Sequence, residues 1–224
     1  MIANGVDYHL QTAQMISQTA WSIPPEATTD LHRHASKTIN FAVLYGQGIP
    51  RLAHAIGCAQ IVASRIQSAI FGEFTTLIAW IQKQVAHARM HGETWTYWDG
   101  VRSRRRPLIA IAGVDQKAAG SSERSSYNTS VQGTASDYCL ASVVECIDWL
   151  RDDCVPAQLV LTVHDSLVFN VREDTVDEVA AMAQQIMTSR KCNGVSLSVD
   201  ISVGRSWGQM TGYKIGQSKT LPSA

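Results

Sequence analysis

The spacing of apolar positions predicts helices over most of the chain. Between residues 49 and 91 apolar side chains recur every three to four positions, which predicts two or three helices separated at Gly57 and Gly72. An upstream helix is predicted to end at Gly46, because glycine commonly stops a helix. The other segments with a helical pattern are 5–20, which Asp7 is placed to cap, 123–150, which has a central break, and 173–189.

Three stretches have the alternation of β-strands. Residues 94–102 alternate aromatic and polar side chains around Asp99-Gly100, a dipeptide typical of a hairpin turn. Residues 159–171 contain two apolar strands around a polar turn of three residues with Asp165 at its tip, and we expect both flanks to be buried. Residues 195–203 alternate as a closing strand. With the helices, these strands predict an α+β fold that is mainly helical, with a small antiparallel sheet flanked by helices.

Two segments lack a clear pattern. Residues 108–120 are rich in Ala, Gly and Ser, which predicts a flexible loop. The polar tail beyond Gly208 is predicted to be frayed.

The helix that ends at Gly46 contains the most informative spacing in the chain. Arg33, Lys37, Phe41 and Tyr45 lie four residues apart, so they follow one helix face from two cations to two aromatic rings. The cations lie in the N-terminal half, where the helix dipole also favours anions. This face suits a triphosphate next to a flat ring, although an amphipathic core helix with a basic end has the same spacing.

Charge is unevenly distributed although the chain has no formal net charge. Residues 33–124 hold twelve Lys and Arg against five Asp and Glu, whereas residues 125–193 hold four against ten. A basic half beside an acidic half suits a surface for phosphates next to one that collects divalent cations. A solvated surface with uneven charge is the alternative.

The cysteines and the hydropathy of the chain indicate its cellular compartment. The five cysteines contain no Cys-x-x-Cys pair, so we expect reduced thiols in a cytoplasmic compartment, bacterial or that of an infected host cell. Cys139 and Cys146 are seven residues apart on a predicted helix, which favours core packing over chemistry. No apolar run is long enough to span a membrane, and we expect no membrane partner.

Three motifs in a consistent order carry a family resemblance. Arg33-x3-Lys37-x3-Phe41-x3-Tyr45-Gly46 resembles the nucleotide-binding fingers helix of family A DNA polymerases, the bacterial DNA polymerase I and phage replicase group. The segment from Glu123 through Gln132 to Asp137 resembles a second fingers and palm segment, and Val163-His-Asp-Ser-Leu-Val168 resembles the catalytic palm hairpin. The resemblance extends from near Asp7 to Trp207, almost the whole chain.

The resemblance implies roles for each motif. Arg33 and Lys37 would bind the triphosphate of an incoming dNTP, with Lys37 contributing to catalysis, while Phe41 and Tyr45 would hold its base and sugar. Residues 1–106 would form the fingers subdomain with the nucleotide-binding helix 33–46, and residues 107–208 the rest of the fingers and the palm. Phe41 is typical of members that use deoxynucleotides.

Primer-template DNA would be bound by two further groups of side chains. By resemblance, one group senses the primer terminus and the templating pair: Arg124, Asn128 and Gln132. Their spacing of four residues also fits a solvated helix face. The arginines that follow the predicted hairpin, Arg102, Arg104 and Arg105, resemble another family segment with looser spacing, and would contact phosphates unless they form only a solvated basic loop. Asp137 is expected to cap or pair locally rather than bind metal.

The palm hairpin would carry the catalytic metal ligand. By resemblance, Asp165 binds Mg²⁺ and His164 shapes the turn and the primer end. DNA polymerases of the family usually have Glu where Ser166 stands, whereas the sequence His-Asp-Ser also occurs in the related single-subunit RNA polymerases.

A second catalytic carboxylate is missing from the pattern. Phosphoryl transfer by two metal ions needs carboxylates on two strands. The family's other metal-binding aspartate lies in a strand motif that precedes the segment at Asp7, and this sequence does not contain it. We therefore expect the C-terminal half of a DNA-directed DNA polymerase, inactive without an N-terminal chain that carries the thumb and the first catalytic motif. A split gene product is favoured over a fragment or a decayed copy because Met1 falls at a sensible boundary.

Two other functions remain open on the sequence. One is a polymerase-derived module that binds nucleic acid without catalysis. The other is a fragment of a single-subunit RNA polymerase, which Ser166 favours and Phe41 opposes.

Overall fold

The computed structural model describes residues 7–192 and 194–216. The chain divides into two compact units, which are described separately below. The first unit consists of residues 1–95 and 105–129, and the second of residues 96–104 and 130–224. Among the described residues, no helix is both long and apolar enough to cross a membrane.

The first unit is built from helices around one apolar core. Its helices are α1 (Tyr8–Trp21), α2 (Asp30–Leu44), α3 (Ile49–Ile56), α4 (Gln60–Glu73), α5 (Thr75–His91) and α6 (Gln116–Asn128). The core fixes α2 among its neighbouring helices, because its largest side chains come from α1, α2, α3 and α4. These side chains are Ile16, Ile39, Leu52, Ile66 and Ile70. A second, smaller cluster contains Ala88, Leu108 and Ile111.

The helix boundaries follow recognisable local signals. Asp7 caps α1 as predicted, since its side chain accepts a hydrogen bond of 3.0 Å from the backbone N–H of Leu10. The break after α3 lies at Gly57, which adopts a left-handed φ of 67°. The break after α4 lies at Phe74 rather than at Gly72, which is part of the helix. The segment 49–91 therefore forms three helices.

The prediction of a flexible loop over residues 108–120 is wrong for much of that range. Residues Ile109–Ala112 form a 3-10 turn, and α6 begins at Gln116. The side chain of Asp115 caps α6 by accepting hydrogen bonds from the N–H groups of Lys117 and Ala118. A single capping residue thus starts a helix in a stretch of weak apolar pattern.

The predicted aromatic hairpin is confirmed as β1 (Glu93–Trp98) and β2 (Val101–Pro107). Asp99 and Gly100 both have positive φ, 48° and 80°, as a tight type I′ turn requires. In the second unit, the ring of Trp98 stacks on Tyr138 at 4.6 Å, and the guanidinium of Arg190 lies over Trp98. The hairpin tip is therefore anchored by aromatic packing.

The second unit combines two helices with short antiparallel pairs. A π-helical turn over Thr129–Gly133 leads into α7 (Thr134–Asp152), which is the predicted break between helices. The hairpin of β3 (Ala157–Val163) and β4 (Ser166–Val171) is followed by α8 (Val176–Thr188). The remaining strands have two residues each: β5 (Lys191–Cys192), β6 (Val195–Ser196), β7 (Ser202–Val203) and β8 (Thr211–Gly212). These elements confirm the predicted α+β class.

Three predictions for the second unit are corrected. The strand expected over residues 195–203 is present only at its two ends, as β6 and β7. The flanks of the β3–β4 hairpin are not buried, because Val160 and Leu161 are about half exposed. The tail is not frayed over residues 211–216, since β8 pairs with β7 and the hydroxyl of Tyr213 donates to Asp177 at 2.7 Å. Residues 217–224 lie outside the described residues.

Candidate functional site

The exposed face of α2 has the arrangement that its spacing predicts. Its opposite face is buried in the core, with Ile39 and Asn40 each 1% exposed. On the outer face Lys37 is exposed, and the rings of Phe41 and Tyr45 are stacked with centroids 5.9 Å apart and an interplanar angle of 8°. Phe41 and Tyr45 remain 41% and 38% exposed. Two nearly parallel aromatic rings therefore face solvent in line with a cation.

Arg33 is held at the N-terminal end of this face by Asp7. Its Nε–H donates to Oδ2 of Asp7 at 2.5 Å, and the same carboxylate caps α1 through Oδ1. The hydrogen bond from Arg33 is the main cause that lowers the pKa of Asp7 below its usual range. Within the described part of the chain, the guanidinium of Arg33 makes no further hydrogen bond, which leaves its two terminal nitrogens available to an anion.

His9 belongs to the same surface, although the sequence analysis does not include it among the candidate site residues. Its Nδ1 lies 3.1 Å from the amide nitrogen of Asn40, and its ring centroid lies 6.0 Å from that of Phe41. Because an amide N–H can only donate, Nδ1 accepts and the neutral ring carries its proton on Nε2. Burial lowers the pKa of His9, and the positive charges of Arg33 and Lys37 lower it further. The sequence signal that could have placed it is its position two residues after Asp7.

The C-terminal end of α2 meets α6 at Gly46. Gly46 has a φ of 69°, and a Cβ added to it would lie 2.0 Å from the hydroxyl oxygen of Tyr127 and 2.9 Å from Cγ of Arg124. Only glycine allows this approach without displacing Tyr127. Arg124, a predicted primer-template residue, is therefore placed beside the C-terminal end of α2 within the first unit.

The other two polar residues of this predicted group lie beyond Arg124 along the chain. Asn128 is half-buried as the last residue of α6, and Gln132 is exposed within the π-helical turn. The chain passes from the first unit to the second between Thr129 and Ser130. π-Helical turns occur frequently at functional sites, which agrees with a role for this segment.

The arginine run lies on β2, whose residues are all exposed. Arg104 pairs with Asp137 at 2.7 Å, so Asp137 does form an ion pair, but its partner lies 33 residues earlier in the chain. Arg105 lies 3.4 Å from Glu93. Both cations keep more than half of their side-chain surface exposed, 59% for Arg104 and 60% for Arg105, and Arg102 is also exposed. These pairs orient the guanidinium groups without removing them from solvent.

Asp165 lies in the turn of the β3–β4 hairpin, as predicted, but the turn has two residues rather than three. Val163 pairs with Ser166, so Ser166 is the first residue of β4 and only His164 and Asp165 form the turn. His164 has a φ of 56°, a backbone conformation that residues other than glycine rarely adopt. Both residues are exposed. Burial, and after it the charge of Asp165, raises the pKa of the Cys139 thiol on α7.

Asp165 is the predicted metal ligand among the described residues. No group of three or more His, Cys, Asp or Glu side chains capable of holding a metal ion is present among them. An exposed carboxylate at a hairpin turn fits a magnesium ion, which is commonly held by one or two protein carboxylates together with water and phosphate oxygens. Asp165 therefore fits as one ligand of such an ion.

Comparison with known proteins identifies relatives of one class. The family described as DNA polymerase family A matches residues 1–209. The thermostable DNA polymerase I of Thermus thermophilus is 32% identical over 203 residues, which are 91% of this chain and 23% of the relative. DNA polymerase I of Pseudomonas aeruginosa is 30% identical over 202 residues, which are 90% of this chain and 21% of the relative. The chain thus spans less than a quarter of the length of these relatives.

A solved structure has the same fold. The POL domain of Pol1 from M. smegmatis, in complex with DNA primer-template and dNTP, superposes with a TM-score of 0.74 over 87% of this chain and 33% of that chain, at 24% identity. The family match covers almost the whole chain and includes all three motifs on which the resemblance depends. This chain belongs to DNA polymerase family A.

Proposed function

We propose that the chain provides the nucleotide- and DNA-binding part of a DNA-directed DNA polymerase, a nucleotidyltransferase of DNA replication. The observation that carries this proposal is the outer face of α2, where two exposed stacked rings follow two cations. Membership of family A supports it. In this proposal residues 1–106 are fingers and residues 107–208 the rest of the fingers and the palm, acting in the cytoplasm.

The outer face of α2 binds the incoming dNTP in this proposal. Arg33, oriented by Asp7, and Lys37 contact the triphosphate and stabilise the negative charge that develops on the leaving pyrophosphate. The stacked rings of Phe41 and Tyr45 hold the base and the sugar. Arg33 presents a planar fork of donors to phosphate oxygens, whereas Lys37 acts as a point charge.

Primer-template DNA is bound by the polar residues of α6 and the π-helical turn and by the arginines of β2. Arg124, Asn128 and Gln132 donate to base-edge acceptors that all correct pairs share. Arg102, Arg104 and Arg105 contact backbone phosphates, which gives affinity that falls with salt and does not depend on sequence.

Asp165 supplies one carboxylate of a Mg²⁺ site in this proposal, and His164 holds the turn and the primer end. Bound Mg²⁺ would provide charge stabilisation for the attacking and leaving oxygens of phosphoryl transfer. No group of three or more potential ligands is present among the described residues, and the second carboxylate is proposed to come from an N-terminal polymerase chain. The chain is then inactive alone and active with that partner.

Primer extension in a mixture tests the proposal. The chain is combined with the Thermus thermophilus polymerase from which the similar stretch has been deleted, together with primer-template, dNTPs and Mg²⁺. Extension is expected only in the mixture, with a loss of about 100-fold for Lys37→Ala and a complete loss for Asp165→Ala. Lys83→Ala is the matched control, because Lys83 is an exposed lysine on α5. Equal extension by the Lys37→Ala and Lys83→Ala mixtures would contradict the proposed role of α2.

Binding without catalysis is the second candidate function, favoured by the single carboxylate at the β3–β4 turn. It predicts DNA affinity that decreases with salt and no dependence of any activity on Asp165. A fragment of a single-subunit RNA polymerase is less favoured, since the chain belongs to family A, and extension with rNTPs in place of dNTPs would reveal it.

A further inference from the structure

The last turns of α5 hold two histidines whose rings are in contact. His87 and His91 lie four residues apart, which places one above the other on the same face of the helix. Their ring centroids are 4.4 Å apart, at an interplanar angle of 41°. His87 is half-buried, whereas His91, the last residue of α5, is exposed. The pair lies within the first unit, and the proposed function makes no use of it.

This spacing suits a metal ion held by two imidazoles. Imidazole nitrogen is a good ligand for nickel, copper and zinc. Each nitrogen binds zinc at about 2.0–2.1 Å, so two nitrogens on one ion lie about 3 Å apart. Because the two rings are already in contact, rotation of the side chains is enough to turn one nitrogen of each toward a shared ion, and exposed His91 has room for it. Histidines at this spacing on a helix also hold zinc in helical metal motifs.

The donor set at this place consists of the two imidazoles. Glu93 is the carboxylate nearest in sequence, but its Oε1 accepts a hydrogen bond of 3.0 Å from Nε1 of Trp95 and its Oε2 lies 3.4 Å from Arg105. Over residues 7–192 and 194–216, no further His, Cys, Asp or Glu side chain makes the pair a group of three. Two nitrogen ligands favour a transition metal over Mg²⁺ or Ca²⁺, which prefer oxygen.

The electrostatics of the helix end favour a cation there. The carbonyl end of a helix carries a partial negative charge, and His91 closes α5 at that end. Arg89 lies two residues from each histidine, so it points to another side of the helix, where its Nε–H donates to Glu123 at 3.0 Å. Lys83 lies four residues before His87, but it is exposed and its long side chain can extend into solvent.

We propose that His87 and His91 together bind one transition-metal dication of the group Ni²⁺, Cu²⁺ and Zn²⁺, with water in the remaining coordination positions. The ion is bound beside Gly92, whose N–H donates to the carbonyl of Ala88 at 2.8 Å and whose carbonyl accepts from Leu108 at 2.7 Å. Bound metal therefore stabilises the point at which α5 ends and β1 begins.

Titration with Ni²⁺ tests the site. The accessible thiols of the chain are first alkylated, and binding of Ni²⁺ alone is then measured by calorimetry. We expect one Ni²⁺ per chain, not displaced by excess Mg²⁺. His91→Gln should weaken binding by about tenfold or more, because one half of the chelate is lost. His34→Gln is the matched control, since His34 is an exposed histidine on α2 with no histidine four residues away. Equal affinity of the two variants, or displacement by Mg²⁺, overturns the proposal.

A double variant distinguishes one shared ion from two separate ones. If both rings hold the same ion, His87→Gln and His91→Gln each remove the chelate, and the double variant binds no more weakly than the weaker single variant. Losses that add up overturn the proposal, because they indicate two independent sites. If His87→Gln does not fold, the comparison of His91→Gln with His34→Gln decides the matter, because both residues are exposed.

NMR and hydrogen exchange locate the ion. Paramagnetic Ni²⁺ should broaden the ring protons of His87 and His91 at concentrations that leave those of His34 sharp. Zn²⁺ should slow hydrogen exchange over residues 88–92, because it stabilises the last turn of α5. Broadening that appears first at His34, or binding of Zn²⁺ without slower exchange in this segment, contradicts the assignment.

Discussion

The Nε atom of Arg33 lies 2.5 Å from Oδ2 of Asp7, and this pair joins the first turn of α1 to the cationic end of α2. One carboxylate thus performs two tasks, because it also caps α1 through Leu10. The position of Arg33 depends on a residue 26 positions earlier in the sequence. The N-terminal end of the outer face of α2 is therefore set by tertiary packing as well as by helix periodicity.

Substitution of Asp7 should separate its two tasks. Asp7→Asn retains a capping side chain but removes the ion pair, whereas Asp7→Ala removes both. The midpoint of thermal unfolding is expected to fall in the order unmodified chain, Asp7→Asn, Asp7→Ala.

The pH dependence of this effect has a defined sign. The pKa of Asp7 is lowered in the folded chain, so its contribution is present above the unfolded value of about 3.9 and is lost as the pH falls through the folded value. The difference between the unmodified chain and Asp7→Asn should accordingly disappear in acid. A difference that persists there would mean that the ion pair is not its cause.

His9 should report anion binding through its titration. Burial, followed by the charges of Arg33 and Lys37, lowers its pKa below the ordinary value of about 6.5. An NMR titration is expected to show a lowered pKa in the free chain and a higher one when inorganic triphosphate is added, because the polyanion stabilises the imidazolium.

Two further results follow from the lowered pKa of His9. Lys37→Ala should raise the pKa of His9 in the free chain, since one of its positive neighbours is removed. The folded state binds fewer protons at His9 than the unfolded state, so the contribution of His9 to the free energy of unfolding falls as the pH drops below about 6.5. A titration unaffected by triphosphate would show that His9 does not border the anion site.

Gly46 should not tolerate a side chain. Gly46→Ala combines a left-handed φ of 69° with a Cβ 2.0 Å from the hydroxyl oxygen of Tyr127, so it is expected to lower the free energy of unfolding by at least about 1 kcal/mol. Gly72→Ala is the control, because Gly72 lies inside α4 and no heavy atom lies within 4 Å of the position of its added Cβ. Denaturant unfolding measures both. Tyr127→Phe should restore part of the loss, whereas equal stability of the two alanine variants would contradict the close approach.

The features that sequence predicted correctly are those with local causes. The outer face of α2 follows from residues spaced four apart, and the β1–β2 turn follows from Asp99-Gly100. The cap at Asp7 is equally local. Each of these signals is contained within about a dozen residues, so the rest of the chain is not needed to interpret it.

The features that sequence missed depend on distant partners. Residues 195–203 alternate as a strand, but a strand also needs a neighbour, and only the two ends have one. His9 joins the site because α1 packs on α2, which periodicity does not reveal. Tyr213 holds the tail through Asp177, a contact between residues 36 apart. The early start of α6 is different, because its cap at Asp115 is local and was readable.

Cysteine reactivity should distinguish the buried face of α7 from the exposed turn that follows this helix. Cys146 is fully buried, and burial raises its pKa to about 11, whereas Cys154 beyond the end of the helix is exposed. At pH 8 the native chain is expected to be alkylated by iodoacetamide at Cys154 at least about 100-fold faster than at Cys146, as measured by peptide mass spectrometry. Unfolding in denaturant should remove the difference. Rapid alkylation of Cys146 in the native chain would contradict the packing of α7.

The backbone conformation of His164 predicts that the glycine variant at this position is more stable than the alanine variant, which is the reverse of the usual order. At an ordinary helix position alanine is more stable than glycine by about 1 kcal/mol, and exposed His34 within α2 should follow that order. His164 has a φ of 56°, where a Cβ costs roughly 1–2 kcal/mol, so His164→Gly should be more stable than His164→Ala. Chemical denaturation of the four variants measures both differences. If alanine is also the more stable residue at 164, the left-handed turn beside Asp165 is not retained in solution, and the strain at this position has no part in holding the carboxylate.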